Sequence, residues 1–146
     1  MEGYDRKKYQ RGKKQFCLFA FLNIGTMLLS DYILQAIPEG MVYIINILLL
    51  LLMYCGFMWT WHVFAVISVI SAISKVKLIL VLIREFNWMI YAMPERLAQE
   101  GVWIAASFVM YALLIFGKAL KYYVGVKRIE RRKRLEGQEE ENRKGS

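Results

Sequence analysis

Long apolar runs without a charged side chain divide this sequence, and they predict membrane-spanning helices. Residues 15–30, 40–74 and 101–117 contain no Lys, Arg, Asp or Glu. A helix that crosses the hydrocarbon core of a bilayer needs about 20 apolar residues, and its backbone polar groups must be paired within the helix. The run NILLLLLMYCGFMW also has no polar face to turn toward water. The pattern therefore predicts an all-α, polytopic integral membrane protein.

The two ends of the chain set the expected number of crossings. Residues 1–15 hold six Lys or Arg against two acidic residues, and residues 117–146 hold ten against five. Basic segments that flank apolar helices stay on the cytoplasmic side of a membrane. Both termini are therefore expected in the cytoplasm, the number of crossings is even, and we predict four transmembrane helices.

The predicted organisation has a membrane domain between two cytoplasmic ends. A tight outer turn is expected where the sequence reads PEG, and the tail is expected to start as a basic helix and to end without regular structure. The predicted parts are a basic N-terminal segment at 1–15, a four-helix transmembrane domain at 16–124 with crossings at about 16–36, 41–61, 62–83 and 101–124, an outer interfacial segment at 84–100, and a basic-then-acidic cytoplasmic tail at 125–146.

The central apolar run allows two paths through the membrane. The run 40–74 would be about 52 Å long as a helix, too long for one crossing and slightly short for two. In the first path the chain turns at 59–62, and 62–83 crosses outward. In the second path one helix continues through the whole run, a cytoplasmic turn forms at 75–77, and 78–93 crosses back.

The first path is preferred on energetic grounds. The returning helix of the second path would be about 24 Å long, shorter than the hydrocarbon core. It would also hold Arg84 and Glu85 near its midpoint, where a charged side chain costs at least about 2.5 kcal/mol. The second path leaves fewer basic residues outside, and it stays open as the alternative.

One face of the predicted helix 62–83 carries small and polar residues. Small residues let two helices approach closely, and polar side chains can form hydrogen bonds between helices. Asn23 and Asn46 are expected to bond in this way between the first two crossings. A lysine at the end of the stripe would point into the bundle, where an ionisable group is a candidate functional site. The stripe, expected to pack helices or to line a polar path, consists of Ala65, Ser68, Ser71, Ala72 and Lys75.

Further charged residues lie within or beside the predicted crossings. Asp31 is near the outer end of the first crossing, and its expected role is a salt bridge to Lys75 or Lys77. Lys77 and Arg84 share the face opposite the stripe and are expected to extend to the outer surface. The candidate intramembrane charges are Asp31, Lys75, Lys77, Arg84 and Glu85.

The basic tail is expected to contact anionic lipid headgroups, which attract each nearby Lys or Arg by about 1 kcal/mol. Nucleic-acid binding is not expected, because the basic segments directly flank apolar helices. The expected lipid contacts are Lys118, Lys121, Lys127, Arg128, Arg131 and Arg132.

The sequence contains no recognisable catalytic or metal-binding pattern. His62 is the only histidine and has no Asp or Cys beside it, whereas a catalytic triad needs such partners. Cys17 and Cys55 lie in separate apolar runs and form no C-x-x-C motif. We therefore expect no metal, no cofactor and no enzymatic activity.

The expected function is association rather than catalysis. The residues predict a small non-enzymatic membrane protein that acts through helix–helix contacts, as an accessory or immunity-type subunit of a membrane complex. Its partner would be a second copy or another membrane protein. The alternative is an oligomeric, holin-like pore or a small transporter whose path the stripe around Lys75 lines. Architecture alone does not choose between these classes. The Lys-, Ile- and Tyr-rich usage indicates the bacterial cytoplasmic membrane.

Overall fold

The computed structural model describes residues 5–34 and 40–145, which form five α-helices. The all-α prediction is confirmed. The turn expected at 38–40 lies outside the described residues apart from Gly40, where a helix already begins. The helices are α1 (Arg6–Leu34), α2 (Gly40–Tyr54), α3 (Met58–Ala92), α4 (Pro94–Phe116) and α5 (Lys118–Gly145).

Three of the described helices, α1, α3 and α4, are long and apolar enough to cross a membrane. Of the 18 most apolar consecutive residues of α3, only 11% are buried within the protein. Side chains such as Ile70 and Ile73 face outward. So much exposed apolar surface is stable in lipid and not in water. The fourth apolar helix, α2, has 15 residues, or about 22 Å, less than the roughly 30 Å of the hydrocarbon core.

α1 runs antiparallel to α5, and α3 runs antiparallel to α4. α1 packs on both α4 and α5, α3 packs on α4, and α2 contacts chiefly α3. The direction of α1 against α5 follows from two contacts: Leu120 N donates to Gln15 Oε1 at 3.0 Å, and the Tyr9 and Tyr123 rings are 5.1 Å apart. A Cβ at Gly12, between these contacts, would overlap the backbone of α5. The glycine therefore allows the two helices to approach this closely.

The α2–α3 turn lies at 55–57, earlier than the expected turn at 59–62, and it interrupts the helix predicted over 41–61. Gly56 has a φ of 87°, a conformation that glycine adopts at little cost. A Cβ there would also overlap the backbone of Arg128 on α5. The glycine thus ends α2 and gives α5 room to pack against the turn.

α3 continues through 75–77 without a break, which rules out the second path with its turn at those residues. The predicted crossing 62–83 lies inside α3. Residues 84–100, predicted as an outer interfacial segment, form the end of α3 and the start of α4, joined at Met93, and their position at the interface stays a prediction. Pro94 starts α4, because a proline in the first helical turn has no N–H group to leave unpaired.

The predicted crossing 101–124 is divided at Gly117, between α4 and α5. A Cβ at this position would overlap the carbonyl oxygen of Leu113. α5 continues to Gly145, so the tail end that was expected to lack regular structure is helical. Its Glu, Arg, Lys and Gln residues are good helix formers, and Lys127 pairs with Glu130 one turn later, at 3.3 Å.

Candidate intramembrane binding site

A cavity of about 570 Å³ lies among α1, α2, α3 and α4. Its volume is within the roughly 300–1,000 Å³ typical of small-molecule sites. Apolar and polar side chains from all four helices line the cavity. The apolar set includes Met27, Leu49, Phe64, Ile67 and Met110, and the polar set includes Asn23, Asp31, Tyr43, Asn46, Ser68, Ser71, Lys75, Ser107 and Tyr111.

The stripe that the sequence places on α3 lies on the inner face of that helix. Ser68 and Lys75 are buried, and the other three members are half-buried. Ser68, Ser71 and Lys75 line the cavity, while Ala65 and Ala72 pack against the hydrophobic core. The same face therefore packs helices and forms a wall of the cavity.

The ammonium group of Lys75 is held by neighbours on α3 and α4. Its Nζ donates to Ser71 Oγ and to Tyr111 OH, each at 3.1 Å, and Tyr111 OH donates to Ser71 Oγ at 2.5 Å. The Nζ also lies 4.5 Å from the centroid of the Trp103 ring, close enough for a cation–π interaction. Lys75 is 7% exposed, so these contacts replace most of its water.

Lys75 is near the middle of α3. It is about 21 Å along the helix axis from Trp61 and about 25 Å from Ala92. The Trp61 ring has Lys121 Nζ 5.0 Å from its centroid, and a tryptophan beside a lysine is typical of a membrane interface. The buried ammonium group is therefore far from both ends of the apolar helix.

Sequence reasoning missed the α4 side of this site. Trp103, Ser107 and Tyr111 line the cavity, and Ser107 Oγ donates to the carbonyl oxygen of Trp103 at 2.7 Å. The three residues are four positions apart, so they share one helix face. That spacing is the signal that could have identified the face.

The predicted bond between the first two crossings is confirmed. Asn46 Nδ2 donates to Asn23 Oδ1, and it also lies 2.9 Å from Met27 Sδ. Both asparagines line the cavity. The hydrogen bond between the two side chains joins α1 to α2 at the wall of the cavity.

Asp31 forms a different contact from the predicted salt bridge. Its Oδ2 accepts a hydrogen bond from Tyr43 OH at 2.5 Å, and among the described ion pairs none joins it to Lys75 or Lys77. Lys77 is exposed on the far side of α3 from the cavity, out of reach. The sequence could not show that α2 would bring a tyrosine to this carboxylate.

A second cavity, of about 880 Å³, lies at the end of the bundle where α3 meets α4. Asp31 lines both cavities, together with residues of the α3–α4 junction in the second one, among them Glu95 and Arg96. Arg96 Nε lies 3.1 Å from Glu100 Oε1. The Asp31 carboxylate, held by Tyr43, thus lies between the central cavity and the end of the bundle.

The remaining predicted charges lie away from the cavity. Arg84 and Glu85 form an ion pair at 4.0 Å, and their side chains are 87% and 50% exposed. Lys77 is exposed as well. These three residues occupy the outer surface of α3, whereas Lys75 and Asp31 line the central cavity.

The six predicted lipid-contact residues divide into two groups. Lys118, Lys121, Arg128 and Arg132 are exposed, and lipid contact stays a prediction for them. Lys127 and Arg131 are half-buried and hold α5 on the rest of the protein. The Arg131 guanidinium carbon is 3.6 Å from the centroid of the Phe57 ring in the α2–α3 turn.

Lys127 lies in a group of tyrosines. Its Nζ is 5.5 to 6.0 Å from the ring centroids of Tyr9, Tyr54 and Tyr123. Burial raises the pKa of the Tyr123 hydroxyl to about 12. Burial by itself would lower the pKa of Lys127, but hydrogen bonds to Tyr9 and Glu130 outweigh it, and the pKa is above its ordinary value. At neutral pH the group therefore contains the Lys127 cation beside the neutral Tyr123 phenol.

Cys17 and Cys55 are exposed free thiols, and within residues 5–34 and 40–145 no three His, Cys, Asp or Glu side chains come together as metal ligands. The site consequently offers one buried ammonium group, hydroxyls, amides and an apolar wall. The chain matches no protein-family model, no curated protein and no solved structure.

Proposed function

We propose that the protein is a small membrane transporter and that the central cavity is its binding site. One observation carries the proposal: Lys75, 7% exposed, lines a cavity of about 570 Å³, and its hydrogen-bond partners are neutral hydroxyls. Taking a charge out of water costs several kcal/mol unless an opposite charge compensates it. Ionisable residues inside membrane helices mark substrate and ion pathways. A bound ligand is a natural source of that compensation.

The second cavity supports a path rather than a closed pocket. Asp31 lines both cavities, so the Asp31–Tyr43 pair separates the central site from the end of the bundle. A solute entering from that end would pass this pair before reaching Lys75. The hydrogen bond between α1 and α2 would then have to open and close during transport.

The proposed topology has four crossings of a bacterial cytoplasmic membrane, α1 to α4, with both termini in the cytoplasm. Two contacts support it: Asp5 N donates to Tyr122 OH at 2.9 Å, and Phe57 stacks with Arg131. These contacts join the start of α1 and the α2–α3 turn to the first half of α5. The same end of the bundle carries most of the Lys and Arg residues, as expected of a cytoplasmic side.

A current measurement tests transport. Purified full-length protein is reconstituted into a planar bilayer, and current is recorded in potassium chloride and after replacement of chloride by hexanoate. We expect an anion-selective current that Lys75→Ala abolishes and Lys77→Ala retains. Lys77 is a matched control, because it is two residues away on the exposed face of the same helix. A bilayer that stays silent in both solutions would contradict the proposal.

A second candidate is the accessory or immunity-type role, in which the protein associates with a second copy or with another membrane protein. The observation that favours it is the exposed charge of Lys77, Arg84 and Glu85 on an otherwise apolar helix. Charged side chains facing lipid are costly, and a neighbouring helix could pair them. α3 is then the proposed contact helix.

Native mass measurement and co-purification in mild detergent test this role. We expect a dimer or a stoichiometric complex that Lys77→Leu combined with Arg84→Leu disrupts, while Lys75→Ala leaves it intact. A monomer that co-purifies with no membrane protein would exclude the accessory role.

A further inference from the structure

We infer that the ligand of the central cavity is a single-chain amphipath with one carboxylate headgroup, bound at Lys75, as in a long-chain fatty acid. This inference rests on the proposed binding site and names its ligand class. Three features of the cavity carry it: its charge, the donors around Lys75, and its apolar extension toward the α2–α3 turn.

The charge of the cavity selects a monoanion. Of the described residues that line it, Lys75 is the one cation and Asp31 the one anion. A cationic ligand would be repelled at Lys75. A headgroup with two negative charges would leave one of them uncompensated, close to Asp31 in the same cavity, and an unpaired charge in a desolvated site is costly.

The donors around Lys75 fit the two oxygens of a carboxylate. The ammonium group and the hydroxyls of Ser71 and Tyr111 lie within 3.1 Å of one another. A carboxylate can accept a charge-assisted hydrogen bond from Nζ and a second from a hydroxyl that rotates toward it. The Trp103 ring, 4.5 Å from Nζ, covers the ammonium group from another side.

The apolar part of the cavity suits an alkyl chain. From Lys75 the cavity extends along α3 past Ile67 to Phe64, a distance of about 16 Å along the helix. Met27 and Met110 add flexible thioether side chains to the wall, and methionine adapts readily to irregular apolar ligands. Asn46 Nδ2 and Asn23 Oδ1 are bonded to each other, so this donor and this acceptor are paired without the ligand.

Fluorescence quenching by a chain-brominated fatty acid tests the inference. Trp59, Trp61 and Trp88 are replaced by Phe, so that Trp103, beside the proposed headgroup, is the remaining fluorophore. The full-length protein is placed in zwitterionic lipid nanodiscs. The brominated acid is the quencher. Its competitors are the unbrominated acid, the methyl ester of that acid, an alkyl amine and an alkyl phosphate, all with the same chain length.

We expect saturable quenching by the acid, competition by an unbrominated acid, and at least about tenfold weaker competition by the ester, amine and phosphate. Lys75→Met should weaken binding of the acid at least about tenfold, Lys75→Arg should retain it, and Lys77→Met should leave it unchanged. Lys75→Arg keeps the test decisive if Lys75→Met fails to fold.

Equal competition by the ester would overturn the inference, because the headgroup charge would then be irrelevant. Stronger competition by the alkyl phosphate would assign a phosphate headgroup to the ligand in place of the carboxylate. Equal quenching in Lys75→Met and Lys77→Met would mean that the brominated acid only partitions into the lipid. Acid-selective binding without bilayer current would remove transport and leave the ligand class standing. Current without acid-selective binding would remove the proposed ligand class and leave transport standing.

Discussion

The Nζ of Lys75 on α3 and the hydroxyl oxygen of Tyr111 on α4 lie 3.1 Å apart inside the helix bundle. The two residues are 36 positions apart in the chain, and the tight α3–α4 connection at Met93 brings them together. The bond places a charged group against a neutral one in an apolar surrounding.

Lys75→Met should stabilise the protein while it removes ligand binding. A desolvated charge with neutral partners costs free energy that a methionine of similar length does not, so we expect a gain of about 1 kcal/mol in the free energy of unfolding. Lys77 is exposed, and its long side chain can extend to the membrane surface, so Lys77→Met should change the free energy of unfolding by less than about 0.5 kcal/mol. Urea-dependent unfolding in mixed micelles gives both values. Destabilisation by Lys75→Met would show instead that the ammonium bonds hold α3 to α4.

Tyr111→Phe should destabilise the α3–α4 contact by about 1 kcal/mol, because it removes the acceptor of Lys75 and the donor to Ser71. Ser71→Ala should cost more in this background than in the wild type, because Ser71 is then the remaining hydroxyl that accepts a hydrogen bond from Lys75. A double-mutant cycle measures this coupling. Additive effects of the two substitutions would mean that the hydroxyls do not act as one network.

The proposed topology predicts opposite accessibility for two exposed positions. With Cys17 and Cys55 replaced by Ser, a single cysteine is introduced as Asn87→Cys near the end of α3 or as Gln10→Cys near the start of α1. An impermeant maleimide should label Asn87→Cys on intact cells and Gln10→Cys in inverted vesicles alone. Labelling of both variants from the same side would exclude an odd number of crossings between them.

The tyrosine group around Lys127 predicts a loss of stability at strongly alkaline pH. The pKa of Tyr123 is raised to about 12 in the folded protein, against about 10 for a free tyrosine. A raised pKa gives stability that is complete below the unfolded value and is lost as the pH rises through the folded one. The pKa of Lys127 is also raised in the folded protein. Its contribution to stability is therefore likewise lost as the pH rises above the ordinary lysine value of about 10.4.

Unfolding measured between pH 8 and pH 12 on a full-length sample tests this dependence. The free energy of unfolding should be level up to about pH 10 and should decrease from there toward pH 12. Tyr123→Phe, which cannot ionise, should flatten the decrease. An unchanged profile in that variant would assign the alkaline transition to other groups.

The sequence by itself determined the class of the fold, because helices in lipid are specified locally. Uncharged runs of sufficient length, with every backbone group paired inside the segment, predict helices without knowledge of their neighbours. The helical phase of Ser68, Ser71 and Lys75 also put these residues on one face, and that face lies against the cavity. The position of the turn at Gly56 was not predicted: the sequence placed the turn at 59–62, because the uncharged run continues on both sides of the glycine.

The tertiary structure alone decided which groups meet across helices. Nothing local to Lys75 indicates Trp103 and Tyr111 as its neighbours, and nothing local to Asp31 indicates Tyr43, because each contact joins two helices through their packing. The approach of α5 to the α2–α3 turn likewise depends on contacts between distant segments. A cavity is the space that several helices leave between them, so its volume and its lining follow from all four at once.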